Sequence, residues 1–172
     1  MSDRPILFSA PMVRAILDGH KTQTRRVMKL QAHPCPYGVP GDRLWVREAF
    51  RFLDSFDGDS PTAVGDRCLI AGYPKPWAPT QYEADGWRDN WMNVGTPPGT
   101  IAAGKLRPGI HMPRWASRIT LEITDVRVER LQDISNADCA REGHRSVTQD
   151  SRQRTRQIGE VGTERYGKPS TA

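Results

Sequence analysis

Arg25, Arg26, Arg43 and Arg47 stand in two close groups in the first third of the chain. A guanidinium fork pairs with phosphate oxygens two bonds at a time, so these groups suit a nucleotide or a phosphodiester backbone. The same residues would equally serve solubility at the surface. Trp45 and Tyr82 can stack on a nucleobase, or can fill the core or rim of a small barrel. Glu48 can accept from a base edge or pair with an arginine, the plain ion pair being the commoner role. Trp115, beside Met112 and Pro113, reads as a packing residue. His33 and Cys35 form the one close His/Cys pair, and no second pair completes a four-ligand zinc site. The reading therefore calls for no metal and no cofactor.

The elements that must position these groups are short. Residues 5–8 read as a buried strand. A helix follows over residues 11–18, with Pro11 in its first turn and Gly19 just past its end. The threonines of residues 21–27 favour extended chain. Residues 34–41 form a Pro/Gly-rich loop. Residues 43–50 alternate, placing Leu44, Val46 and Phe50 on one face and Trp45 with Arg47 on the other. Residues 54–66 read as a loop, and residues 68–71 and 81–84 as two further strands. Residues 85–109 are long and irregular. Residues 118–128 show the clearest period-two pattern, offset near Thr124 and Asp125 as a bulge would leave it. A second short helix is framed by Ser135 as its cap, Asp138 three residues on, and Gly143 at its end.

The chain has 172 residues, a net charge of +5 and 37% hydrophobic residues. That suits one core. No apolar run approaches the roughly 20 residues that span a bilayer, and the first residues lack the layout of a secretory signal. A cytoplasmic protein with no membrane partner is expected. Three scattered cysteines make no disulfide framework. A basic balance favours polyanions, RNA first among them. Part of the excess lies in residues 145–172, where six Lys/Arg face three Asp/Glu. Large apolar residues are sparse there, so that stretch reads as a polar, mobile tail on a domain of residues 1–144. The expected fold is mainly β with short helices, of the α+β class, as a small barrel. The oligomeric state is not legible.

Three blocks together resemble the ASCH family, whose domains are PUA-like RNA-binding barrels. They are residues 16–25 with the Gly19-His20-Lys21-Thr22 turn, residues 41–48, and the late strand leading to residues 137–143. Pro40, residues 82–85 and residues 111–118 look like a phage or prophage branch. The chain departs from that pattern after Glu142: the aromatic-rich last strand has no counterpart, which implies a barrel incomplete at its C-terminal side. The family includes amidohydrolases that deacylate N4-acetylcytidine with a Lys, a Thr and a Glu, matched here by Lys21, Thr24 and Glu142.

The resemblance implies RNA or a modified nucleoside as partner, held in a basic cleft around Lys21, Thr24, Arg25 and Arg26. Its hydrolytic alternative makes Lys21 the base, Thr24 the nucleophile and Glu142 the proton shuttle. Lys21 could act so only with a depressed pKa, from burial or from Arg25 and Arg26. In a regular strand residues three apart face opposite sides, so Lys21 and Thr24 cooperate only if the chain turns between them. A ribonuclease reading comes last, since no His pair or acidic cluster supports it. A phage structural or regulatory protein without substrate is the remaining alternative.

Overall fold

A computed structural model describes residues 2–27, 35 and 37–143 of the chain. Six strands and three helices are formed there, in two three-stranded sheets. The strands are β1 (Asp3–Leu7), β2 (Arg43–Arg47), β3 (Phe50–Arg51), β4 (Thr80–Tyr82), β5 (Arg88–Asp89) and β6 (Thr120–Glu122). The helices are α1 (Ala10–Leu17), α2 (Pro61–Ile70) and α3 (Asn136–Arg141). The protein is thus a small α+β structure, and its two sheets do not close into a barrel among the described residues. No described helix is long and apolar enough to cross a membrane.

In the first sheet β2 is central, parallel to β1 and antiparallel to β6. Its period-two pattern sends Leu44 and Val46 inward, where they meet Ile6, Phe8 and Val13 of the β1–α1 unit. Arg43, Trp45 and Arg47 share the outer face with their register partners Asp3, Pro5 and Leu7. Phe50 leaves the face expected for it. The chain passes at residues 48–49 from β2 into β3, so Phe50 joins the second sheet and a second core with Phe52, Val64, Tyr82 and Met112. Trp115 packs there as expected, stacked on Phe52 with ring centroids 5.6 Å apart.

Two expectations are corrected. Residues 54–60 are turns as expected, but residues 61–70 are neither loop nor strand: they form α2, capped by the Ser60 side chain, which accepts from Ala63 N–H. Helices therefore hold more of the described chain than strands do. Asp, Gly, Ser and Pro residues crowd residues 54–66, and Gly65 stands inside the helix for a reason of packing. A Cβ there would lie 2.9 Å from the Trp115 indole nitrogen, so close packing demands glycine inside the helix. Residues 118–128 pair over β6 alone, and the ladder is extended by Ile123 N–H to Asp42 O. Beyond it Val128 is 66% exposed. Alternation that meets no partner strand among the described residues makes no ladder there. Residues 85–109 are irregular apart from the short strand β5, and are anchored by buried Trp91, which donates to Ile101 O. Cys35, Cys68 and Cys139 are free thiols. The His33 reading and the tail of residues 145–172 lie outside the described residues.

Candidate functional site

Lys21 and Glu142 meet although 121 residues separate them. Gly19, at φ +72°, ends α1 and releases the chain so that the N–H groups of His20 and Lys21 both bond Ala15 O. On the other side, α3 carries the reciprocal Ser135/Asp138 capping box. Gly143, at φ +89°, allows its end to approach: a Cβ there would lie 2.7 Å from the Ala15 Cβ and 3.4 Å from the Lys21 Cβ. Lys21 and Glu142 are antiparallel bridge partners.

The last carbonyls of a helix lack partners within it. Here the N–H groups of Thr22 and Gln23 donate to Arg141 O at 2.8 and 3.1 Å, and the Lys21 ammonium donates to Glu142 O at 3.1 Å. It also donates to Gln23 O at 2.6 Å. Lys21 is therefore the C-terminal cap of α3. It is 8% exposed, and desolvation by burial holds its pKa below the ordinary lysine value. Glu142 works against that shift, while Arg26 and Arg25 add to it.

Arg25 spans the acidic side of the same cluster. It donates to Glu142 at 2.9 Å and Glu129 at 3.3 Å, and lies 3.5 Å from Asp138. The hydrogen bond to Glu142 is the first cause that raises its pKa. Asp138 is held below the usual carboxylate range, chiefly by the Ser135 hydroxyl. Burial alternates along the segment: Lys21, Gln23 and Arg25 turn in, Thr22 and Thr24 turn out. The Thr24 hydroxyl bonds no described residue. The Lys/Glu half of the expected triad is brought together, and the threonine is not part of that contact.

Arg26 leads away from this cluster. Its guanidinium donates to Leu7 O at 3.0 Å and lies 5.8 Å from the Phe8 ring centroid, with the Lys21 ammonium 5.9 Å from the same centroid. Phe8 N–H in turn donates to Arg47 O. Arg47 donates to Met112 O and lies 5.1 Å from the Trp45 ring. Arg114, which the sequence reading passed over, reaches the same indole at 5.9 Å and bonds the Thr120 hydroxyl. Nothing in the spacing marks it, because it arrives from a turn before β6. Asp3 pairs with Arg43 at 2.8 Å and Arg114 at 3.5 Å.

Glu48 and Tyr82 have a different setting. Glu48 is 1% exposed at the junction of the two sheets. Arg118 grips it with two hydrogen bonds of 2.9 and 3.0 Å and takes Asp85 with two more. The Arg118 guanidinium lies 4.1 Å from the Tyr82 ring centroid. Tyr82 is 3% exposed, its hydroxyl donates to Ala116 O, and burial first of all pushes its pKa up. Both residues are parts of the interior, and the reach toward a base edge or a base face that the sequence allowed them is taken up by Arg118. Among the described residues no cluster of His, Cys, Asp and Glu is placed to hold a metal. The chain matches no family model, no curated protein and no solved structure.

Proposed function

We propose that the chain binds a nucleotide or single-stranded RNA across the outer face of the first sheet, continued by the segment of residues 21–26. The supporting observation is the Phe8 junction. Its ring carries Lys21 and Arg26 while its backbone bonds Arg47, so two basic stretches far apart in sequence share one margin. Arg26, Arg47 and Arg114 offer guanidinium forks to phosphates, and Trp45 offers a stacking surface among them. The ASCH reading belongs to the same proposal. The blocks that carry the resemblance become neighbours, residues 16–25 against residues 137–143, with β2 beside them. In that reading the two sheets, continuous at residues 48–49, are walls of an incompletely closed PUA-like barrel.

Binding is preferred to turnover because Lys21 is buried and bonded to Gln23 O and Glu142 O while Thr24 is exposed. The test is fluorescence anisotropy with a labelled single-stranded RNA at several salt concentrations. Binding in about the micromolar range is expected. Arg26→Ala and Arg47→Ala should each flatten the log–log salt slope by about 0.7, the share of one neutralised phosphate on a single strand. Trp45→Ala should cost about 1–3 kcal/mol. Affinity that is unmoved by all three variants would overturn the proposal. N4-acetylcytidine offered to the same protein tests the hydrolytic alternative, which requires turnover that Lys21→Ala and Thr24→Ala both abolish.

A further inference from the structure

The two edges of β6 are used unequally. Ile119 O accepts from Val46 N–H, and Ile123 donates to Asp42 O and accepts from Gly41 N–H. The odd-numbered residues thus direct their backbone groups at β2 and the turn before it. Along an extended chain the even-numbered residues direct theirs the other way. No described strand meets them on that side. From Thr124 to Glu129 the backbone bonds no other described residue's backbone, and the Val126 N–H is held by the neighbouring Asp125 carboxylate at 2.8 Å. Every residue from Thr124 to Leu131 is exposed, Val126 by 37% and Val128 by 66%. An open edge that carries β-branched residues is a template for a further strand.

The charges say which strand. Antiparallel pairing about a two-fold axis sets one residue opposite its own copy and the residues on either side opposite each other. With Val126 on the axis, Asp125 faces the second copy's Arg127, Glu122 faces its Arg130, and Thr124 faces its Val128. By symmetry each of these pairs occurs twice. Only Ile123 opposite Glu129 gains nothing. Centred one residue earlier, Asp125 would face itself; centred one residue later, Arg127 would. Like charges directly opposite are destabilising. Centring on Thr124 sets Glu122 against Val126, and centring on Val128 sets Val126 against Arg130. The charge pattern therefore selects the Val126 register. The backbone selects it too, because Val126 is even-numbered and its groups point at the open edge. Asp125 and Arg127 lie 3.5 Å apart within one chain, and Arg127 also reaches Glu129 at 3.2 Å. Two copies would gather the two aspartates and two arginines into one cluster of alternating sign.

We propose that residues 122–130 are the pairing edge of a homodimer, in which a second copy of the chain lies antiparallel on the first with Val126 at the two-fold axis. The backbone ladder runs from Thr124 to Val128, since Arg130 O already accepts from Asp133 N–H. Edge pairing of this length covers little area, so the dimer belongs to the weak, transient class. A two-fold axis perpendicular to a sheet keeps each face on its own side, so the two Trp45 faces come to lie on the same side of the pair. None of residues 122–130 is used by the nucleic-acid reading, and the dimer stands or falls without it.

The experiment is sedimentation velocity on the full chain, freed of nucleic acid, from low micromolar to near-millimolar concentration. A monomer–dimer equilibrium is expected, and it should weaken as salt screens the ion pairs. Asp125→Arg sets like charges opposite each other twice, and so does Arg127→Asp. Each should raise the dissociation constant about tenfold. The double variant D125R/R127D re-forms every pair with its sign reversed and should bring the constant back to that of the wild type. Both positions are exposed, so the fold should survive all three variants, which circular dichroism checks. A chain that stays monomeric throughout, single variants that dimerise as the wild type does, or a double variant no better than the singles would overturn the proposal.

Discussion

Arg118 and Arg25 are each shared among carboxylates from separate parts of the chain, in very different surroundings. Arg118 commits its Nε and both terminal nitrogens to Glu48 and Asp85, lies over the Tyr82 ring, and keeps 17% of its side chain exposed against 2% for Glu48. Arg25 reaches three carboxylates, but the side chains of that group keep between 14% and 30% of their surface in water. Burying a charge is tolerable only with full pairing, and once paired the removal of one partner strands the other. The first network therefore locks the two sheets together. The second fastens the segment after α1 to α3 in a place that water already reaches, where ion pairs are weak. A surface meant to meet a charged ligand needs this second kind of fastening, because its cations can be re-partnered without stranding a buried charge.

The largest expected effect tests that contrast directly. Arg118→Ala leaves Glu48 in a dry interior with no cation, and should destabilise the fold by about 3–5 kcal/mol in urea unfolding. Arg25→Ala should lower the midpoint far less, and the loss should shrink further in high salt, which screens exposed pairs. Equal losses for the two variants would remove the distinction between a locking network and a fastening one.

A middle-sized effect separates backbone from charge in the second region. Gly143 holds a left-handed conformation against Ala15 and Lys21. Gly143→Ala should cost about 1–2 kcal/mol from conformation alone, with a further cost from the Cβ approach at 2.7 Å. Amide exchange should quicken first at Thr22 and Gln23, whose N–H groups bond Arg141 O. If exchange quickened in β2 at the same rate, α3 would be part of the global core.

These contrasts bear on what the sequence could show. Local signals were readable where the chain's own neighbours decide the structure: Ser135, Asp138 and Gly143 frame α3, and Pro11 with Gly19 frame α1. They misled where a distant partner decides. The Asp, Gly, Ser and Pro residues of 54–66 read as a loop although α2 begins at Pro61 and packs Gly65 against Trp115, and the alternation of residues 124–128 meets no partner strand among the described residues. For the candidate site, the nearness of Lys21 and Glu142 followed from the family resemblance. The outward turn of Thr24 and the arrival of Arg114 at Trp45 depend on backbone direction, which spacing alone does not carry. The buried tie of Glu48 to Arg118 depends on two sheets meeting, again a tertiary fact.

The smallest expected effect concerns Lys21 itself and follows from the sign of its shift. Burial lowers its pKa below 10.5 in the folded chain, while in the unfolded chain it keeps the ordinary value. Between the lowered value and 10.5 the unfolded state holds one more proton than the folded state, so stability rises with pH across that window. Below the window the ammonium is charged in both states and its desolvation is borne by the fold, offset by the bonds to Gln23 O and Glu142 O. The carboxylates run in their own window: Asp138, held down by the Ser135 hydroxyl, adds stability above its unfolded value of 3.8 and loses it as pH falls through the folded one. Urea midpoints of the wild type and of Lys21→Met, followed as pH is raised toward 10.5, isolate the lysine because every other titrating group is common to both. The wild-type curve should climb relative to the variant. Parallel curves would mean that Lys21 is solvated enough to keep its ordinary basicity, and the cap on α3 would then be an ordinary charged one.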